Sequence, residues 1–200
     1  ELNTEDQYQF FLDAGPLSNL DEYYKEDNVF WQQLKDHPNY DEFWKSRGII
    51  QHLEDIKPAT MVVGGWFDAE DLYGPLTTYK TIEKTSNNYN TIVMGPWSHG
   101  DWARTKERQT IGNVYFGDNI SKFFQEEIET KFFNHFLKED GKGSSGLPEA
   151  YVYDTGRNEW ETYDVWPPKN IEEKTYSLGQ HQSMGEIMTM QYSYEEFVSD

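Results

Sequence analysis

The segments ATMVVGG at residues 59–65 and NTIVMG at residues 90–95 decide the fold of this chain. Both are short, apolar and rich in β-branched residues, and both end in glycine, a pattern typical of strands buried in a parallel sheet. Residues 72–84, between the two segments, carry apolar side chains at the spacing of an amphipathic helix. The three segments predict a β-α-β unit, which places the chain in the α/β class.

The sequence on either side of this unit has a different character. Before it, aromatic residues cluster at helical spacing, and His37-Pro38 is expected to divide one cluster into two helices. After it, residues 121–138 place Phe, Ile and Leu side chains on one helical face. A Gly/Ser-rich segment at 139–148 follows, and the alternating segments beyond it predict short strands, with a hairpin turn at Asp154-Thr155-Gly156 and a last strand within 188–194.

The composition excludes several classes of protein and of site. The 200 residues include 36 acidic and 17 basic side chains, and the net charge of -19 would repel a nucleic acid. The absence of cysteine excludes disulfides, thiolate metal ligands and cysteine nucleophiles. No apolar run is long enough for a membrane helix, so neither nucleic acid nor a membrane is expected as a partner. The 7 Trp, 14 Tyr and 12 Phe predict a folded chain, because aromatic side chains bury large areas.

A titratable residue follows each of the two predicted strands. Asp68 comes after the first strand and His99 after the second, and ligands of α/β sheets bind beyond the carboxyl ends of the strands. The order Asp then His matches the last two members of an α/β-hydrolase triad, in which His99 would be the base and Asp68 its orienting partner. We expect the two side chains within about 2.6 to 3.2 Å of each other. From the residues alone, a second interpretation stays open, in which Asp68 is an ordinary turn residue and His99 an ordinary surface histidine.

Four segments carry a resemblance to a known family. GGWFDAEDLYG at 64–74 and IVMGPWSHG at 92–100 resemble the acid and histidine loops of the CocE/NonD family of serine hydrolases, which includes cocaine esterase and X-prolyl dipeptidyl aminopeptidases. HPNYDEFW at 37–44 and YDTGRNEWE at 153–161 are similar to further segments of this family. Among its members, the chain most resembles the α-amino-acid ester hydrolases, which are β-lactam antibiotic acylases.

The resemblance implies an α/β fold with three regions. Residues 1–57 would be a helical segment derived from the cap, 58–146 the C-terminal part of an α/β-hydrolase domain, and 147–200 the start of a jelly-roll β-sandwich. It also implies a secreted or periplasmic protein, and leaves a homo-oligomer open. No G-x-S-x-G motif occurs in the sequence, so the nucleophilic Ser and the oxyanion-hole Tyr are expected upstream. The chain alone would then be inactive.

The resemblance further implies where the substrate binds. Glu70 and Asp71 match two acids that bind the α-ammonium group of the substrate, so the expected partner is a small acyl compound with an α-amino group. Alternatively, both are acidic residues in the first turn of the following helix. Trp66 and Trp97 would shape the acyl pocket, although core packing is equally compatible with the sequence.

Other sites and functions are less well supported by the sequence. The remaining histidines lack the spacing of a metal motif, so no metal or other cofactor is expected; they are His37, His52, His135 and His181. One alternative function is an X-Pro dipeptidyl peptidase or another acylase of the same family. A second alternative is a non-catalytic β-sandwich that binds a partner through exposed aromatic residues.

Overall fold

The computed structural model describes residues 4–24, 28–138, 142–179 and 183–186. The predicted strand at 188–194 and His181 lie outside these residues. Within them, the strands in chain order are β1 (Thr60–Gly65), β2 (Asn90–Gly95), β3 (Arg108–Ile111), β4 (Val114–Asp118), β5 (Ala150–Asp154), β6 (Glu159–Tyr163), β7 (Tyr176–Gly179) and β8 (Ser183–Glu186).

A mixed four-stranded sheet has the strand order β1-β2-β5-β6. Strands β1 and β2 are parallel, with Val62 beside Ile92 and Gly65 beside Gly95. The helix Tyr73–Thr85 connects them, which confirms the predicted β-α-β unit. Every residue of β2 is buried, as expected for a strand with neighbours on both sides and side chains packed on both faces.

The β5–β6 hairpin forms as predicted and joins this same sheet. β5 pairs in parallel with β2, and β6 pairs antiparallel with β5. The Asp154 carboxylate accepts hydrogen bonds from the N–H groups of Gly156 and Arg157 at 2.8 and 3.0 Å, which stabilises the turn. The sheet therefore continues across the boundary expected near residue 146. A jelly roll over 147–200 stays a prediction.

Side chains on opposite faces of the sheet pack into two cores. Adjacent residues of a strand point to opposite faces, so Val93 packs on one side and its neighbours Ile92 and Met94 on the other. The Val93 side is largely aromatic, with Trp97, Phe116, Phe124 and Tyr153. The other side contains Val62, Tyr79, Ala150 and Val152.

The helices begin and end where the sequence offers caps and breaks. The α-helices before the sheet are α1 (Gln7–Ala14), α2 (Val29–Asp36) and α3 (Glu42–Lys45), with 3-10 turns at Leu17–Glu22 and Ile49–His52. Their N-caps are Asp6, Asn28 and Asp41, each of which accepts hydrogen bonds from N–H groups of the first turn. The division of α2 from α3 around His37-Pro38 confirms the expected break.

The predicted helix at 121–138 is a continuous helical segment over residues 120–138. Helix α4 is the β1–β2 connection Tyr73–Thr85. The segment 120–138 alternates two α-helical stretches, α5 (Ile120–Phe123) and α6 (Thr130–Phe133), with π-helical stretches at Phe124–Glu129 and Asn134–Lys138. Phe124, Ile128 and Phe132 are buried along one side, as the apolar pattern predicted.

Contacts divide the chain into two units. The first comprises Glu1–Pro58 and Lys80–Asn88, and the second comprises Ala59–Tyr79 and Tyr89–Asp200. The four-stranded sheet, its two cores and all of the predicted site residues belong to the second unit. No helix among the described residues combines the length and apolar character that crossing a bilayer requires.

Candidate active site

The loops that follow β1 and β2 leave the same edge of the sheet and are joined by backbone hydrogen bonds. The Trp66 N–H donates to the Gly95 carbonyl at 2.9 Å, and the Phe67 N–H donates to the Trp97 carbonyl at 3.0 Å. Parallel strands in register end side by side, so their two loops necessarily start as neighbours. The residues that follow, Asp68 and His99, are therefore brought together by strand pairing.

Glycine at position 65 permits this close approach. A Cβ atom on Gly65 would lie 2.3 Å from the Trp97 carbonyl oxygen, well inside van der Waals contact. That same oxygen accepts the hydrogen bond from Phe67. A side chain at this position would consequently push the two loops apart.

Asp68 and His99 form a hydrogen-bonded pair. The His99 Nδ1 atom lies 3.1 Å from Asp68 Oδ2 and 3.3 Å from Oδ1, which confirms the predicted proximity. The Asp68 side chain is 3% exposed, whereas the His99 side chain is 56% exposed. A buried acid thus holds one nitrogen of a ring whose other side is open to solvent.

Hydrogen bonds keep the Asp68 carboxylate ionised. Burial alone raises the pKa of this group, but the N–H groups of Asp71 and Glu70 and the His99 ring lower the pKa by more, so it lies below the ordinary value of 3.8. Oδ1 accepts from the Glu70 N–H at 2.9 Å and from the Asp71 N–H at 3.0 Å. An ionised Asp68 accepts a hydrogen bond from a protonated His99 Nδ1, and in that tautomer Nε2 keeps a lone pair that can act as a base.

Glu70 and Asp71 differ in their surroundings. The Glu70 side chain is 72% exposed, and its Oε2 lies 4.0 Å from His99 Nε2. Asp71 Oδ1 accepts a hydrogen bond of 2.6 Å from the Gly74 N–H in the first turn of α4. Asp71 is therefore hydrogen-bonded to the start of α4, which is the alternative role that the sequence left open. The Glu70 carboxylate lies near His99 Nε2, the nitrogen that would act as the base.

The two tryptophans predicted to bind substrate are engaged in packing. Trp97 is fully buried, with ring contacts to Trp102, Phe124 and Trp160. The prediction of a pocket role for Trp97 is corrected by this burial, because the ring faces the core. Trp66 is half-buried, and its indole N–H donates to the Tyr153 carbonyl at 3.0 Å.

The structure adds a residue that the sequence analysis missed. The Asp101 carboxylate, two positions after His99, is fully buried and contacts Lys106 Nζ at 2.7 Å and Ser98 Oγ at 2.7 Å. Burial raises the pKa of this acid, but hydrogen bonds from Lys106, Ser98 and Gln109 outweigh burial and lower the pKa below 3.8. The signal in the sequence was that two basic residues, Arg104 and Lys106, follow this acid within a few positions.

Two of the other described histidines belong to the first unit, and the third lies in the helical segment 120–138. His37 Nδ1 contacts Asp41 Oδ2 at 2.7 Å, and its ring stacks on Phe43. His135 is buried, and His52 is exposed. Among the residues that the structure describes, no three His, Cys, Asp or Glu side chains converge as a metal site would require.

Comparison with known proteins identifies relatives of this chain. The family model described as X-Pro dipeptidyl-peptidase (S15 family) matches residues 2–101. Cocaine esterase from Rhodococcus sp. (strain MB1 Bresler) is 25% identical over 150 residues, which are 74% of this chain and 25% of that protein. The chain thus spans about a quarter of the length of this curated relative.

Two solved structures share the fold. An aminopeptidase from the marine sediment archaeon Thaumarchaeota archaeon is 28% identical, with a TM-score of 0.82 over 96% of this chain and 31% of that one. A selenomethionine-labelled α-amino acid ester hydrolase is 28% identical, with a TM-score of 0.72 over 82% of this chain and 27% of that one. The family model covers half of the chain and includes both Asp68 and His99. The chain therefore belongs to the X-Pro dipeptidyl-peptidase (S15) family, as the resemblance of its two site loops had indicated.

Proposed function

We propose that this chain supplies the acid and the histidine of a Ser-His-Asp triad in a serine hydrolase that acts on esters or amides of α-amino acids. The observation that carries the proposal is the contact of 3.1 Å between His99 Nδ1 and a buried Asp68 carboxylate, at the carboxyl edge of two parallel strands. Family membership supports the reaction class, since peptidase and esterase both cleave an acyl bond.

In the proposed mechanism, His99 moves a proton twice in each half-reaction. Its Nε2 takes the proton of the serine hydroxyl while the serine oxygen forms a bond to the acyl carbon, and then gives that proton to the leaving group as the acyl bond breaks. Water attacks the resulting acyl-serine in the same way, which releases the acid and restores the serine. Asp68 keeps the proton on Nδ1 and stabilises the imidazolium between the two transfers.

The serine is proposed to lie outside residues 1–200, because the sequence has no G-x-S-x-G motif. Residues 1–200 alone should not hydrolyse a p-nitrophenyl ester, whereas the full polypeptide should do so and should react with a fluorophosphonate probe. Probe labelling of the full polypeptide should map to a serine outside these residues. Turnover that depends on a serine within residues 1–200 would refute the proposal.

Glu70 is proposed to bind the α-amino group, and Asp71, whose Oδ1 accepts from the Gly74 N–H, is proposed to add negative charge next to it. The Glu70 carboxylate is 4.0 Å from His99 Nε2, so it places negative charge close to the proposed acyl-transfer site. An α-ammonium group is separated from the acyl carbon by one atom, so a cation held near Glu70 leaves the acyl carbon near His99. Two similar structures, an aminopeptidase and an α-amino acid ester hydrolase, are named for substrates with an amino group.

Changing Glu70→Gln should weaken the use of amino-acyl esters selectively. A charge pair at an exposed position contributes up to about 1 kcal/mol, and the Glu70 side chain is 72% exposed, so we expect a loss of roughly 5-fold in kcat/KM for the amino-acyl ester. Because the matching des-amino ester has no ammonium, its kcat/KM should hardly change. Glu172→Gln, at another exposed glutamate, is the control. Equal losses on both esters would show that Glu70 supports the loop and does not bind the ammonium.

An X-Pro dipeptidyl peptidase is the second candidate, favoured by the description of the matching family model. Such an enzyme also binds a substrate amino terminus, but it cleaves one residue further along, after proline. Comparing an amino-acid anilide with an X-Pro dipeptide anilide separates the two candidates. A secreted or periplasmic location and a homo-oligomeric state are carried as further proposals from the family resemblance.

A further inference from the structure

Asp101 is a buried charge that the proposed mechanism leaves without a role. Its side chain is fully buried, and it is less exposed than Asp68, the other acid buried beside the site. Burying a carboxylate is costly, and a buried ion pair often adds little net stability compared with apolar packing. A conformational role is therefore a better explanation for Asp101 than stability alone.

The contacts of Asp101 close the loop that carries His99. Asp101 Oδ2 accepts from Ser98 Oγ at 2.7 Å and from the Ser98 N–H at 3.3 Å, and the Asp101 N–H donates to the Ser98 carbonyl at 3.1 Å. Gly100, between them, has a φ of 73°, in the left-handed region that favours glycine. His99 thus lies inside a short turn whose two ends are tied to each other.

Other contacts anchor this turn to the rest of the second unit. Asp101 Oδ1 forms ion pairs with Lys106 Nζ at 2.7 Å and with Arg104 Nη1 at 3.3 Å. Gln109 Nε2, on β3, lies 3.4 Å from Asp101 Oδ2. The Asp101 carbonyl accepts from Ser121 Oγ on α5 at 3.0 Å. The turn is therefore closed by its own Ser98–Asp101 hydrogen bonds and is also bonded to strand β3 and helix α5.

His99 depends on this anchoring because its own side chain is open. The imidazole is 56% exposed, and its hydrogen bond to Asp68 holds only the Nδ1 atom. The orientation of the remaining ring atoms therefore depends on where the backbone places His99. We infer that Asp101 is a positioning residue that holds the His99 loop so that Nε2 points at the reacting atoms. This inference rests on the proposed function of His99 as the base.

The test compares Asp101→Ala and Asp101→Asn with a core variant in the full polypeptide. Phe132→Leu removes buried volume from α6, away from the turn, and serves as the control for lost stability. Misplacing a catalytic group by about 1 Å costs up to about 100-fold. We expect kcat for an amino-acyl ester to fall by about 10- to 100-fold in Asp101→Ala, with KM within about 2-fold. Asp101→Asn should lose less, because its amide oxygen can still accept from Ser98.

A second readout observes the loop without relying on turnover. By NMR, the exchangeable Nδ1 proton of His99 should exchange faster with water in Asp101→Ala than in the parent protein, and it should be unchanged in Phe132→Leu. If Asp101→Ala does not fold, Ser98→Ala takes its place, since it removes the hydroxyl from the 2.7 Å contact. The same pattern is expected, with a smaller loss of kcat.

Three outcomes would overturn the inference. Losses of activity in the Asp101 variants that match the unfolded fraction, as in Phe132→Leu, would reduce Asp101 to a stabilising residue. Faster exchange of the His99 Nδ1 proton with unchanged kcat would show that movement of the turn does not affect catalysis. That result would contradict the positioning role of Asp101 but not the proposed function of His99. Full activity of His99→Ala would remove the proposed function itself, and with it any positioning role.

Discussion

Changing Asp68→Asn should lower kcat for ester hydrolysis by the full polypeptide by about 10⁴-fold, with KM nearly unchanged. The two N–H groups of Glu70 and Asp71 point at Oδ1, so the amide oxygen of Asn would take that position and its NH₂ group would face His99. His99 Nδ1 would then accept a hydrogen bond instead of donating one. Its proton would lie on Nε2, the wrong tautomer for a base, and this change in a triad costs about 10⁴ in kcat.

The matched control is Asp164→Asn, which makes the same substitution at an exposed position outside the two site loops. It should leave kcat unchanged. Steady-state kinetics with an ester at saturating concentration measures both variants, and circular dichroism verifies that both are folded. A loss of less than about 10-fold in Asp68→Asn would contradict the orienting role of Asp68.

Changing Gly65→Ala should lower the free energy of unfolding by about 3 kcal/mol, at the upper end of typical overpacking costs. The added Cβ would lie 2.3 Å from the Trp97 carbonyl oxygen and 2.9 Å from its carbonyl carbon. These are backbone atoms, which cannot rotate away as a flexible side chain would. The strain would also stretch the hydrogen bond of 3.0 Å from the Phe67 N–H to that oxygen.

Gly48→Ala provides the comparison for this prediction. Gly48 has a φ of -70°, and a Cβ there would be 3.4 Å from the nearest atom, the Lys45 carbonyl oxygen, which is an ordinary contact. Its free energy of unfolding should change by less than about 1 kcal/mol, with a small gain from the reduced entropy of the unfolded chain. Urea unfolding measures both variants. Similar stabilities for the two would show that the loops yield at Gly65 without cost.

Local sequence patterns were enough to predict β1, α4, β2, the helical segment after them and one pair of site residues, but not the β3–β4 pair. The β-branched runs and the helical spacing between them specify β1, α4 and β2 because burial and backbone geometry act over a few residues. Asp68 and His99 could be placed together for the same reason: each directly follows one of two strands that pair in parallel. Family resemblance then added roles that spacing alone left open.

Contacts between distant segments could not be predicted in this way. The β5–β6 hairpin was expected from its turn residues, but its parallel pairing with β2 was not, because strand edges recognise each other through backbone groups that carry no sequence signature. The π-helical stretches within residues 120–138 were likewise not predicted by the sequence pattern. Short π-helical stretches between α-helical ones leave Phe124, Ile128 and Phe132 buried on one side, so the apolar pattern does not reveal the change in hydrogen bonding.

By itself, the sequence determined the α/β class, the β-α-β unit and the meeting of Asp68 with His99, since short-range periodicity and strand order fix these features. Only the tertiary structure decided that Trp97 faces the core, that Asp71 binds the start of α4 while Glu70 lies near His99, and that Asp101 ties the histidine loop. The physical reason is that a side chain's role depends on its burial and on the hydrogen-bond partners it meets. Those partners come from segments that the sequence does not place beside it.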